Sequence, residues 1–251
     1  IVMPTNFWGK ASITPAKLYS WGANNSGMLG IGDTYAKSSP VQVGALTNWA
    51  LASVGASFVT MMKTDGTLWA AGYAYYGQLG DGGGTSRSSP VQVGALTTWE
   101  KVASGKEHSV ASRADGTLWS WGRNTYGQLG QGNTSNYSSP VQIGALTTWN
   151  EVACGEYYSF ATKTNGTLWA WGRNDYYGVL GQSNTINRSS PVQIGALTTW
   201  DKISCGQDFA FSIKTNGTLW AWGNGSPGQL AQGNTTNYSS PVQVGALTTW
   251  D

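Results

Sequence analysis

Apolar positions in this chain come in short alternating runs, never in the three-to-four-residue rhythm of an amphipathic helix. Residues 101–150 hold four such runs, KVASG, HSVASRA, TLWSWG and PVQIGAL, divided by turn signals, and each is strand-sized. Asp115-Gly116 separates the second run from the third, and Asn-Gly stands at the same place at 165 and 216. Both turn residues tolerate positive φ, so a tight hairpin is predicted there and the first three runs form a meander. Pro140 opens the fourth run. Proline is accepted at a strand's start or on an edge that needs no ladder donor, so the fourth strand is expected at the outer rim. In the third run, alternation sets Trp119 and Trp121 on one face and Leu118 and Ser120 on the other. Both faces carry material to bury, so the sheet needs a neighbour on each side.

The same pattern recurs along the chain. SSPVQVGALTTW occupies 88–99, with near-copies beginning at 38, 138, 189 and 239. Trp49, Trp99, Trp149, Trp200 and Trp250 end these copies; Tyr19, Trp69, Trp119, Trp169 and Trp220 share a second phase; Trp21, Ala71, Trp121, Trp171 and Trp222 share a third. A four-stranded unit that must stack on copies of itself predicts an all-β fold, a β-propeller of about 50 residues per blade. Five blades are expected: repeats over 18–251, and over 1–17 an eroded first-repeat segment or lead-in, a candidate for closing the ring. Thirteen of the fourteen tryptophans sit at the three phases and are expected in the core or blade seams, with Trp8 the outlier.

Composition narrows the chemistry. Fourteen Lys plus Arg against twelve Asp plus Glu give a net charge of +2 without a run of either sign, so the basic face that nucleic acid requires is not expected. No apolar stretch is long enough for a spanning helix, and no membrane insertion is expected. The opening IVMPTNFWGK has no charged-then-apolar leader and reads as a mature or excised piece. Cys154 and Cys205 share a phase with Val54 and Ser104; they read as small buried side chains, neither a disulfide nor metal ligands. His108 is the single histidine, so a hydrolytic triad has no base, and its aromatic phase-mates make it a packed ring. GRNTYGQLGQGNT lacks the Lys-Ser/Thr of a phosphate cradle and reads as turn glycines. Asp33 and Asp81 are too isolated for calcium. The expectation is no enzyme, no cofactor and no metal, and the Asn-x-Ser/Thr triplets at 133, 136, 187, 234 and 237 read as products of turn composition.

The stretch VASGKEHSVASRADGTLWSWGRNTYGQLGQG resembles the repeat of the regulator of chromosome condensation family through Gly105, His108, Ser109, Asp115, Gly116, Trp121, Gly122, Gly127, Gln128, Leu129 and Gly130. The resemblance implies a propeller with one repeat per blade. Phe58, Tyr158 and Phe209 replace the histidine in other units, Ala71 breaks one Trp-Gly pair, and Ala231 replaces a loop glycine in the last. The Gly-Trp-Arg-His-Thr segment of the family's plant photoreceptors does not occur.

Copies differ most in the loop after Gly-Gln-Leu-Gly, where Lys37, Arg87, Tyr137, Arg188 and Tyr238 share one phase, expected to be exposed and to bind a partner. A second variable set is GASF, GKEH, GEYY and GQDF. The function expected is non-enzymatic recognition or display, with another protein or a surface glycan held on one propeller face. A homo-oligomer or larger assembly is open, and an extracellular, cell-surface or virion setting is favoured over the cytoplasm. Two alternatives follow from the resemblance: inhibition of an enzyme, as by a related secreted β-lactamase inhibitor, and guanine-nucleotide exchange on a small GTPase.

Overall fold

The computed structural model describes residues 16–250. Trp8, Asp251 and nearly all of the segment expected over 1–17 lie outside the described residues. Every regular element among the described residues is a strand. β1 (Tyr19–Gly22) and β2 (Lys37–Gln42) pair as a two-stranded sheet. Four-stranded sheets follow: β3 (Trp49–Val54), β4 (Phe58–Lys63), β5 (Leu68–Gly72) and β6 (Arg87–Gln92); then β7 (Trp99–Ser104), β8 (His108–Arg113), β9 (Leu118–Gly122) and β10 (Tyr137–Gln142). The third set is β11 (Trp149–Cys154), β12 (Tyr158–Lys163), β13 (Leu168–Gly172) and β14 (Arg188–Gln193). The last is β15 (Trp200–Cys205), β16 (Phe209–Lys214), β17 (Leu219–Gly223) and β18 (Tyr238–Gln243). Strands pair antiparallel in chain order, so these are the meandering blades of a β-propeller.

The chain divides into two compact units. One holds Ile1–Asp115, Trp119–Arg123 and Asn136–Gln142; the other holds Gly116–Leu118, Asn124–Ser135 and Ile143–Asp251.

Each blade is built around the hairpin that the sequence predicted. In the second sheet Gly66 takes φ 75° and its N–H donates to Lys63 O at 3.0 Å. Asp65 Oδ1 accepts from Thr67 N at 2.9 Å and from Thr67 Oγ1 at 2.6 Å, while Trp69 Nε1 donates to that same Oγ1 at 2.9 Å. Asn165–Thr167–Trp169 and Asn216–Thr218–Trp220 repeat the chain of bonds. The recurring Asp/Asn-Gly-Thr-Leu-Trp is therefore a turn that anchors its own indole. The same turn also accepts a backbone bond from the next blade: Trp99 N donates to Gly66 O at 3.2 Å, and Trp200 N to Gly166 O at 3.0 Å.

The outermost strand begins earlier than expected. It runs from Tyr137 rather than Pro140, pairing Tyr137 with Gly122 and then slipping register before Val141 pairs with Ser120. Pro140 lies inside that irregularity on the edge strand, where no ladder donor is required, and so the strand continues through it. All five outer strands have this form.

The tryptophan phases separate into three environments. Trp121, Trp171 and Trp222 are fully buried, and Trp49, Trp99, Trp149 and Trp200 nearly so. Trp119, Trp169 and Trp220 are half-buried rather than core, because one side of each ring is covered by a cation from the adjacent strand. Lys163 Nζ stands 3.7 Å from the Trp169 ring and 4.8 Å from Trp149; Lys214 stands 3.4 Å from Trp220 and 4.6 Å from Trp200. Trp250 departs from the core expectation as well, with 40% of its surface exposed. Its N–H makes the usual linking bond, to Gly217 O at 3.1 Å.

The repeated Ser-Ser of the outer strands marks a close approach between successive repeats. A Cβ on Gly77 would stand 2.5 Å from Ser138 Cα, and one on Gly127 would stand 2.5 Å from Ser189 Cα. Gly82 N donates to Ser138 O at 2.8 Å and Gly132 N to Ser189 O at 2.7 Å. A small residue and a glycine must meet at each step, so the twelve-residue motif is copied with little change.

Candidate functional site

The hairpin after each blade's first strand and the long loop after its third emerge from the same end of the sheet, because the strands alternate in direction. That end carries most of the chain's tyrosines. In the first unit Tyr73 and Tyr75 stack with centroids 6.4 Å apart, and Tyr75 meets Tyr76 edge-on at 5.0 Å. Arg123 lies 4.7 Å above the Tyr76 ring and donates to Glu107 Oε2 at 2.6 Å. Tyr75 is 70% exposed. Beside it, Tyr75, Tyr76, Gly82–Gly84, Asn136 and Ser138 line an open groove of about 280 Å³.

The second unit has a tighter arrangement. Arg173 lies 4.4 Å from the Tyr176 ring, 5.4 Å from Tyr126 and 5.7 Å from Tyr157, and its Nε donates to Asp175 Oδ1 at 2.9 Å. Tyr126 and Tyr157 themselves pack at 5.3 Å. Burial disfavours the guanidinium's charge, but the Asp175 hydrogen bond and the charges of Asp175 and Asp208 outweigh it and raise its pKa. The result is a fixed cation in an aromatic setting, with Tyr176 65% exposed at its margin.

The residues expected at a binding phase occupy the head of each outermost strand, at this same end. Their exposure differs from expectation: Arg87 is exposed, whereas Lys37, Tyr137, Arg188 and Tyr238 are half-buried. Several close their own loops. Lys37 Nζ bonds Asp33 Oδ2 at 2.8 Å, Arg87 Nε reaches Asp81 Oδ2 at 3.2 Å, and Asn234 Nδ2 donates to Tyr238 Oη at 3.1 Å. Lys37, first among the causes, draws the Asp33 carboxyl below its usual range. The variable side chain folds back over its loop because an Asp or Asn four to six residues earlier offers it a partner.

The second variable set lies at this end as well. Glu107 of GKEH and Tyr157 of GEYY sit in the two clusters. What the sequence reading missed is Arg123, Arg173, Tyr75 and Tyr176, all inside the Trp-Gly-x-x-x-Tyr-Gly stretch read only as turn glycines. The signal was there: the residue after each Trp/Ala-Gly varies as Ala23, Tyr73, Arg123, Arg173 and Asn224.

The remaining candidates are packing groups. His108 is fully buried at the head of β8. Tyr158, at the same phase, donates its hydroxyl to Gly206 O at 2.9 Å and Phe209 O at 2.7 Å. Desolvation, above all, raises its pKa and that of the neighbouring Cys205 thiol. Cys154 and Cys205 form no disulfide and are half-buried, at the ends of β11 and β15. Val54 at that phase is 53% exposed, so the phase is the mouth of the inner strands rather than a buried pocket. Among the described residues no group of three or more His, Cys, Asp or Glu could hold a metal ion.

The model of the RCC1-like domain matches residues 11–251. The chain belongs to this family. Among solved structures it is similar to human WBSCR16, with TM-score 0.82 and 22% identity over 93% of this chain and 63% of that one. Yeast RCC1 (Prp20), in its structure bound to Kap60, gives TM-score 0.81 at 19% identity, covering 93% of this chain and 58% of that one. Prp20p from Saccharomyces cerevisiae, studied for its binding to Gsp1p and histones, gives 0.80 at 21% identity, covering 93% and 60%. At such identities the likeness speaks for the fold. The RCC1-like chain described here spans about three-fifths of the length of these structures. No curated protein matches it in sequence.

Proposed function

We infer that this RCC1-like chain is a non-enzymatic recognition propeller that holds a protein partner against the tyrosine–arginine end of its blades. The observation that carries this reading is Arg173, fixed by Asp175 among Tyr126, Tyr157 and Tyr176. Tyrosine and arginine are the side chains most enriched where interfaces concentrate their binding energy. Here they sit on turns at the ends of strands and pack against one another, with Arg173 bonded to Asp175, so little side-chain entropy is lost on docking. Similar propellers bind proteins, since yeast Prp20 is seen with Kap60 and has binding properties toward Gsp1p and histones. The setting we attach to this reading is a cell or virion surface, on the grounds of sparse charge and Asn/Thr/Ser/Gly-rich loops; fractionation of the native source tests it. The binding test is affinity capture with the wild-type chain and with Tyr176→Ala/Arg173→Ala. Partners retained by the wild type and lost by the double variant support the reading, and equal capture by both overturns it.

Nucleotide exchange on a small GTPase is a second reading, favoured by the likeness to the Gsp1p-binding yeast protein. Release of a fluorescent guanine nucleotide from a candidate GTPase, accelerated by catalytic amounts of this chain, would establish it.

A further inference from the structure

We propose that the open groove between the two arms of the long loop joining β5 to β6 is a sugar-binding subsite, taking one neutral hexopyranose ring against Tyr75. In three other repeats a side-chain clip ties these arms together. Asn24 Nδ2 donates to Asp33 O at 2.9 Å, Asn124 Nδ2 to Asn133 O at 3.0 Å and Asn174 Nδ2 to Asn184 O at 2.9 Å. The amide oxygen of each accepts from the backbone N–H of Leu29, Leu129 or Leu180, all at 2.9 Å. All three asparagines are buried.

Both halves of the clip are missing from the second repeat. Ala74 stands where the asparagine does, and Gly83-Gly84 where the others carry Asp33-Thr34, Asn133-Thr134 and Asn184-Thr185. The backbone requires neither glycine. Gly82 takes φ 82°, as Gly32 and Gly132 take 91° and 75°, but Gly83 and Gly84 lie outside the left-handed region. A Cβ on Gly83 would come no nearer than 3.5 Å to the surrounding atoms, and one on Gly84 no nearer than 3.9 Å. Their bareness leaves open the groove of about 280 Å³. The loop is held from its base instead, where Asp81 accepts Gly83 N at 3.0 Å on one oxygen and Arg87 Nε at 3.2 Å on the other.

The walls decide the ligand. Tyr75 is 70% exposed, stacked on Tyr73 at 6.4 Å and met edge-on by Tyr76 at 5.0 Å, so it offers a flat apolar surface that is already held in place. Gly83 O is the carbonyl that elsewhere accepts the asparagine amide, and Ala74 has no donor for it. The Asn136 side chain adds an amide to the lining. Charges beside the groove are matched, Asp81 with Arg87 and Glu107 with Arg123. A charged ligand would therefore lose hydration without meeting an opposite charge. A pyranose suits these walls, with a C–H face for the tyrosine and hydroxyls that both donate and accept. The groove shares no residue with the Arg173 cluster.

Saturation-transfer NMR on the whole chain, with the methyl glycosides of glucose, galactose, mannose and N-acetylglucosamine, tests the assignment. At least one is expected to bind saturably, and Tyr75→Ala to weaken it at least about tenfold. Tyr75 is exposed, so its removal spares the fold. Ala74→Asn/Gly83→Asn writes the clip of the third repeat into the second; it is expected to abolish binding while the unfolding midpoint stays at or above wild type. Tyr176→Ala, which tests the partner-binding reading, is expected to leave sugar binding unchanged, so the two readings fail separately. A trisaccharide of the preferred sugar that binds more tightly than the methyl glycoside identifies a glycan chain as the source, and equal binding identifies the free sugar; both uphold the subsite. No saturable glycoside, binding that survives Tyr75→Ala and the clip variant, or preference for N-acetyltyrosinamide as a stand-in for a peptide side chain overturns it.

Discussion

The indole Nε1 of Trp121 donates to the carbonyl of Gln78, 3.0 Å away and 43 positions earlier in the chain. The bond is possible because Gly80 has no side chain: a Cβ there would lie 2.8 Å from both that Nε1 and Val93 Cγ1. Gly94 takes a similar φ, 60° against 70°, but a Cβ on it would meet nothing within 4 Å. The pair separates backbone strain from steric conflict. Gly94→Ala is expected to cost about 1 kcal/mol for the left-handed conformation alone, and Gly80→Ala clearly more, because a buried indole must also move. Urea unfolding of the two variants measures the difference, and equal losses would refute this account of the blade seam.

Repetition made the architecture legible before any coordinates. A defect in one blade would be a defect in all, so Asp-Gly-Thr-Leu-Trp and Ser-Ser-Pro stayed nearly fixed, and their phases gave strand order and the buried indoles. Trp250, 40% exposed, shows what repetition does not give: residue phase predicts the surface a side chain faces, and not how much of it is covered. The site was harder. Lys37 and Arg87 vary at a loop, but their variation is matched by Asp33 and Asp81 within the same loop. Arg173 and Tyr157 come from different segments of one blade and are brought within 5.7 Å only by the fold.

A second prediction concerns Tyr158. Phenylalanine stands at the same phase in Phe58 and Phe209, so the ring of Tyr158→Phe should fit and the loss should be that of the hydroxyl. Phe209 O keeps the bond from Gly206 N at 2.8 Å, but Gly206 O loses the hydroxyl at 2.9 Å. The expected cost is about 1–3 kcal/mol, read from the urea midpoint with an unchanged m-value.

The lysines lodged against paired tryptophans predict a pH dependence. Burial lowers the pKa of Lys63, Lys163 and Lys214 from 10.5. Each folded-state group releases its proton at a lower pH than in the unfolded chain. Between the folded value and 10.5 the unfolded chain therefore holds more protons, so stability rises with pH across that window. The indole faces favour the charged form and offset part of this shift. Lys163→Met should flatten the rise relative to the wild type in unfolding experiments just below pH 10.5, and an identical slope would show that Lys163 titrates as a surface lysine does.

The last prediction separates the recognition end from the scaffold. Tyr176 is 65% exposed and meets Arg173 at 4.4 Å and Tyr177 at 6.1 Å. Its removal leaves no cavity, so Tyr176→Ala should change stability by no more than about 0.5 kcal/mol. Arg173→Lys keeps a cation but cannot spread a planar group over Tyr126, Tyr157 and Tyr176 or hold Asp175 through Nε. If the aromatic cluster is what a partner meets, both substitutions weaken capture while unfolding midpoints stay near wild type. Substituting Arg87, exposed but committed to Asp81 in the first unit, should then leave capture of a partner seated on the Arg173 cluster unchanged. The opposite order, with Arg87→Ala losing the partner and Tyr176→Ala keeping it, would move the site from the Arg173 cluster to the heads of the outer strands.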